Sequence, residues 1–271
     1  MIEFESRSSR KELGPVVAAR RRTRSGFYTV VLFAAFASSL PISPAGLTAK
    51  QAVAAEAAPA PSRIQAMIAD AWVDATETWS NLLGARVYQA DAPQINFVPA
   101  VRASHCYGLY IGTGPVYCSG NTTVFVSVAT MEDLARKIPA VGDAGLAFLV
   151  AHELGHHIQK VTGRFKVLNA LIRNNPAAHR GLALRFELEA DCLAGVWASK
   201  SPKFAATADA RSAMLMSLDA IGDDRILSNS GTAPDPANFT HGSSEQRVRW
   251  FKQGLEGARV EACDVLSTDS P

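Results

Sequence analysis

The stretch LVAHELGHHIQK, residues 149–160, decides how the rest of this chain is read. Leu146 to Ala151 are all apolar, and then His152, Glu153, His156 and His157 arrive within six positions. Burying imidazoles and a carboxylate is costly unless something pairs with them, so the run asks for a partner. Four residues turn an α-helix by about 400°, which puts His152 and His156 on one face, one turn apart. His152-Glu153-Leu154-Gly155-His156 is the HExxH pattern, and two imidazoles so placed suit two ligands of a tetrahedral zinc ion, with Glu153 beside the first as general base. His157, about 100° off that face, is expected to pack or hydrogen-bond beside the site.

A catalytic zinc takes three protein ligands and keeps one position open for water, so a third ligand is needed. The run RFELEADCLAGVWAS, residues 185–199, offers it. Glu187 and Asp191 are four apart and share a helix face, whereas Glu189 lies about 200° away from Glu187. Glu187 is therefore the candidate third ligand for a single zinc ion. Asp191 becomes the acceptor for the other nitrogen of a ligand imidazole, fixing its tautomer. The plainer reading is a solvated acidic face, but Leu184, Phe186, Leu188, Leu193, Val196 and Trp197 crowd the same helix. Gly155 and Gly195 sit in helix interiors, where glycine costs about 1 kcal/mol, and a close approach of the two site helices would explain both.

Around these segments the periodicity is mostly helical. Ile64, Met67, Ile68, Ala71, Trp72, Ala75, Trp79 and Leu82 recur three and four apart until Gly84, marking an amphipathic helix. MEDLARKI (131–138) reads as a short helix, and Asp143 as the cap of the long HExxH helix, which ends near Gly163. Further helices are expected at about 181–199 and 205–222, with SNSGTAPDPANFTHGSS (228–244) as a loop. Ser243 and Gln246 form a capping box for a final helix, SEQRVRWFKQGLEG (244–257). Between residues 92 and 128 the pattern turns to short strands, INFVP, PVYC and TVFVSV, the last alternating as a half-exposed strand does. The class is α+β, predominantly helical, with a small sheet.

Composition sets the compartment. Residues 1–24 hold seven basic side chains against three acidic ones, and the next charge is Lys50. GFYTVVLFAAFASSL (26–40) is a compact apolar run followed by Pro41 and Pro44. Residues 1–54 thus read as a secretory signal or, if the apolar stretch extends across 26–47, as a membrane anchor. Both put the body outside the cytoplasm. Residues 55–62 form a small-residue linker with Pro59 and Pro61, and 63–271 form the main domain. Setting aside the leader's +4 and Lys50 from the formal +2 leaves about −3 for the remainder, which offers no basic footprint for nucleic acid. Four cysteines in an exported chain point to two disulfides rather than four buried thiols. Cys106 and Cys118 flank the turn-rich YGLYIGTGPVY, which favours their pairing and leaves Cys192 for Cys263.

VAHELGHHIQ (150–159), ELEADCLAGVWA (187–198) and FTHGSSEQRVRWFKQG (239–254) together resemble the three blocks of the bacterial neutral zinc metallopeptidase family. More broadly, HExxH with a downstream ExxxD resembles the gluzincin class, of which thermolysin is a member. The resemblance spans about residues 62–265, with departures at Tyr107, Ser119 and Asn121 around the first two cysteines. It implies a zincin-like fold whose active-site helix packs below a small sheet, with an edge strand that receives extended peptide; by position that strand is TVFVSV (123–128).

A peptidase built on these residues needs a donor for the oxyanion of the tetrahedral intermediate. His241, just before the capped final helix, is the candidate, with Tyr110 and Tyr117 behind it. His105 and His179 read as ordinary loop or surface residues. The expected function is zinc-dependent hydrolysis of extended peptides outside the cytoplasm. Two alternatives stand beside it: a catalytically weak zincin-like scaffold that binds a partner protein or cell-wall component, and a membrane-anchored structural protein in which HExxH is accidental.

Overall fold

A computed structural model of the protein describes residues 60–89, 91–106 and 114–268. The proposed leader, residues 55–59 of the linker, Tyr107 and Tyr110 therefore lie outside the described residues. Helix α1 (Arg63–Leu83) starts where the Ser62 hydroxyl accepts from the Gln65 N–H, and stops at Gly84, whose φ of 82° suits glycine. A short α2 (Ala85–Gln89) leads into strand β1 (Gln94–Phe97), followed by β2 (Val116–Cys118) and β3 (Thr123–Val126). Ser127 caps α3 (Val128–Lys137), and α4 (Gly142–Val161) carries the HExxH segment. Then come α5 (Arg164–Asn174), α6 (His179–Lys200), α7 (Ala208–Ala220), α8 (Asp223–Asn229) and α9 (Ser244–Gly257). The architecture is the expected predominantly helical α+β arrangement with one small sheet.

The sheet corrects one expectation. Its order is β1-β3-β2, with β3 parallel to β1 and antiparallel to β2. TVFVSV thus supplies the central strand and cannot be the edge that receives a peptide. Nor is it half-exposed, because Thr123, Val124, Phe125 and Val126 are all buried. Alternation of valine with small polar residues signals a strand, but Thr123 and Ser127 here are buried polar residues with hydrogen-bond partners: Thr123 to nearby Asn121 and Ser127 to the distant Pro99 carbonyl. Among the described residues, the sheet edge beside α4 belongs to β2.

Helix α4 is buried over most of its circumference, as its apolar first half requires. Asp143 does not cap it; that carboxylate pairs with Arg63 of α1 at 2.8 Å on the surface, and the helix follows directly from a 3-10 turn at Pro139–Val141. At the other end Gly163, at φ 80°, turns the chain into α5, a helix the sequence reading did not separate. The capping box of α9 is present with both reciprocal bonds.

The two interior glycines serve different contacts. A Cβ at Gly155 would meet the Ala190 carbonyl oxygen at 2.9 Å, so α4 and α6 approach closely there, as expected. A Cβ at Gly195 would instead meet the Phe251 carbonyl oxygen at 2.1 Å, so that glycine accommodates α9 and not the HExxH helix. Gly254 completes the crossing from the other side, facing the Cys192 carbonyl. Helix α6 is held between α4 and α9, and this sandwich positions the site.

Candidate metal centre

Three side chains from two helices converge. His152 Nε2 lies 3.2 Å from Glu187 Oε2, and His156 Nε2 lies 3.3 Å from the same oxygen. One ligand atom from each of the three residues falls within 4.8 Å of the others. Two ligands of a tetrahedral zinc at bond lengths of about 2.0–2.1 Å stand about 3.3 Å apart, so the spacing and the nitrogen and oxygen donors fit such an ion. His152 is almost wholly buried, while the Glu187 side chain is partly exposed.

The remaining imidazole nitrogens are also engaged. His152 Nδ1 donates to Asp191 Oδ1 at 2.7 Å. Asp191 is completely buried and is gripped by Arg247, with Nε to Oδ2 at 2.9 Å and Nη2 to Oδ1 at 3.0 Å. Burial pushes the Asp191 carboxyl up, but Arg247 and His152 outweigh it and the pKa falls below its ordinary value. His156 Nδ1 lies 2.8 Å from Gln159 Oε1. Burial lowers the His152 pKa, yet Asp191 and Glu187 reverse this and raise it overall. Burial likewise pushes Glu187 up, and His156 with His152 carries it well below the usual carboxylate range. These carboxylates favour positive charge between them and the imidazoles, the preference that receives a divalent cation.

Glu153 stands next to the ligands with its carboxylate buried, and its Oε2 accepts the Tyr117 backbone N–H of β2 at 2.6 Å. Burial raises its pKa, against the pull of His152 and His156. The Tyr117 hydroxyl lies 3.0 Å from His157 Nδ1, so it is committed away from the ligand cluster and is not placed as an oxyanion donor. His241 is half-exposed at the rim, with Nε2 3.8 Å from Glu187 Oε2. Its loop is fastened by Asp223, whose Oδ2 accepts the backbone N–H groups of Thr240, His241 and Gly242 at 2.5, 2.8 and 3.1 Å. His105 stacks on Phe125, away from the cluster. Glu189 is neither a ligand nor a solvated charge; it is buried and bidentate with Arg164 at 2.8 Å.

Cys106 is bonded to Cys118 and Cys192 to Cys263, the pairing read from the sequence. Cys118 follows Tyr117 on β2, and Cys192 follows Asp191 on α6. Two disulfides fit an oxidising compartment. Among the described residues no helix is long and apolar enough to cross a membrane.

The family described as "Putative neutral zinc metallopeptidase" matches residues 25–266. This chain belongs to that family. The uncharacterized protein YpfJ of Escherichia coli strain K12 is 37% identical over 156 residues, covering 56% of this chain and 54% of that protein. The uncharacterized protein Rv2575 of Mycobacterium tuberculosis strain H37Rv is 32% identical over 170 residues, covering 57% of this chain and 55% of the relative. The chain thus spans about half the length of the curated relatives it matches. No solved structure matches it.

Arg247, Gln159 and Asp223 were not singled out from sequence. Arg247 had a signal: it shares a heptad-like stripe with Ser244, Phe251 and Gly254, all buried, so a guanidinium at a core position called for a buried acid. Gln159 is three residues from His156 and so shares its helix face, a local signal, but its bond to the Phe186 carbonyl and the bonds of Asp223 to residues 240–242 cross chain separations that no local pattern reveals.

Proposed function

We propose that the protein is a zinc-dependent endopeptidase acting on extended peptides outside the cytoplasm. The observation that carries this reading is the meeting of His152, His156 and Glu187 around one point, with the buried Glu153 carboxylate alongside. When bound there, zinc supplies Lewis-acid polarisation of the scissile carbonyl and lowers the pKa of water towards about 7.

The chain's own residues divide the remaining work. Glu153, in an environment that raises its pKa, takes a proton from the attacking water and returns it to the leaving amine. The Tyr117 N–H holds one Glu153 oxygen and leaves the other for that transfer. Asp191, anchored by Arg247, orients His152 with its Nε2 towards Glu187. His241, fixed by Asp223 at the rim, offers a hydrogen bond to the developing oxyanion. Strand β2, with β3 on one side and its Tyr117 N–H given to Glu153 on the other, borders the site at which an extended peptide lies. The partner is a peptide or protein, not nucleic acid, and a leader with apolar residues 26–47 either directs export or anchors the domain.

The test is metal analysis of the purified protein with a peptide-library digest, with and without chelator, on wild type and Glu153→Gln. Retained zinc with cleavage reduced by about 10²–10⁴-fold in the variant is the expected result. Wild type that binds zinc yet cleaves nothing in a broad library would favour the scaffold reading.

A further inference from the structure

We infer that Gln159 is a positioning residue that sets the tautomer of His156 and locks it to the backbone beside Glu187. This rests on the zinc reading above.

Gln159 is completely buried, three residues beyond His156 on α4. Its Nε2 lies 2.7 Å from the Phe186 carbonyl oxygen on α6, and its Oε1 lies 2.8 Å from His156 Nδ1. A carbonyl can only accept, so the amide nitrogen must face Phe186 and the amide oxygen must face the imidazole. A flipped amide would set its oxygen against the Phe186 carbonyl oxygen, so this one orientation is fixed. The oxygen can then only accept from His156, which places the proton on Nδ1 and leaves the Nε2 lone pair for the ligand cluster, 3.3 Å from Glu187 Oε2.

The two ligand histidines are therefore fixed by different chemistry. His152 is oriented by a carboxylate with its own guanidinium, His156 by a neutral amide. The amide also spans the gap between helices: Phe186 immediately precedes Glu187, so one side chain joins the second ligand on α4 to the backbone that presents the third on α6.

The experiment is zinc affinity by competition with a chromophoric chelator, on wild type, Gln159→Met and Gln159→Glu, with thermal melting of the zinc-free proteins alongside. Methionine keeps the volume and removes both bonds. Glutamic acid in its neutral form keeps both, with its carbonyl accepting from His156 and its O–H donating to Phe186. Zinc affinity is expected to fall about 10–100-fold in Q159M and to stay within about threefold of wild type in Q159E. Affinity in Q159M equal to wild type would overturn the inference. So would an equal loss in both variants, because a side chain that keeps both bonds would then hold His156 no better than one that makes neither. Wild type that takes up no zinc would overturn the metal reading itself, whatever the variants do.

Discussion

Arg247 shows how much of the site rests on a single side chain outside it. Asp191 is completely buried, and its charge is tolerated because Arg247 gives it two hydrogen bonds and His152 a third. Breaking a buried pair by removing one partner leaves a charge without compensation, at about 3–5 kcal/mol. Arg247→Met is therefore expected to lower unfolding free energy in guanidinium by about that much. Arg63→Ala, which removes the exposed pair with Asp143, is expected to cost under about 1 kcal/mol. If Arg247→Met also proves nearly neutral, Asp191 must draw its compensation from a proton shared with His152 rather than from the guanidinium. The contrast matters for function because Asp191 bears directly on the His152 ring; a weakened grip should loosen zinc as well as the fold.

At the scale of the element, the α6–α9 crossing is the tightest helix contact the glycines report. Cβ atoms added at Gly195 and Gly254 would meet backbone, 2.1 Å from the Phe251 oxygen and 1.8 Å from the Cys192 oxygen. Alanine gains about 1 kcal/mol over glycine in a helix, but backbone atoms at that distance cannot step aside without parting the helices. Overpacking should win: Gly254→Ala is expected to destabilise by about 1–3 kcal/mol or more. Gly181, also in α6, meets nothing within 4 Å and has ordinary φ, so Gly181→Ala should stabilise by about 0.5 kcal/mol. Urea midpoints moving in opposite directions for the two alanines would support this; two shifts of the same sign would not. Because Arg247 sits on α9 and Asp191 on α6, parting this crossing also pulls the guanidinium from the carboxylate.

Over the whole molecule, what could be read from the sequence was what depends on spacing along one helix, and what could not was what depends on which elements meet. Residues 152 and 156 share a face in any helix, and so do 187 and 191, so each pair was foreseeable from the four-residue interval, while the meeting of the two pairs followed from the need of a catalytic zinc for a third ligand. Ser243 and Gln246 announced the start of α9 for the same local reason. Strand order is not local: nothing in TVFVSV says that β1 lies parallel on one side and β2 antiparallel on the other. Gly195 marked a close contact without naming its partner, and the Tyr117 N–H has no side-chain signature at all. The disulfides add a prediction at this scale. Cys192–Cys263 spans 71 residues and Cys106–Cys118 spans 12, so the chain-entropy model gives them about 4 and about 3 kcal/mol. Their effects on the site should run the other way. Asp191, beside Cys192, is held in mid-helix by α4 and α9, whereas Tyr117, beside Cys118, lies on a three-residue edge strand whose N–H carries Glu153. The Cys192→Ala/Cys263→Ala protein should lose more unfolding free energy yet keep turnover per bound zinc. The Cys106→Ala/Cys118→Ala protein should lose less stability but more turnover, with zinc retained, because the strand that steadies the base has been released. Measured together by guanidinium unfolding, metal content and peptide cleavage, the opposite order in turnover would mean that β2 is held by its pairing with β3 alone and that the shorter bridge does nothing for Glu153, and the opposite order in stability would overturn the ranking by loop length.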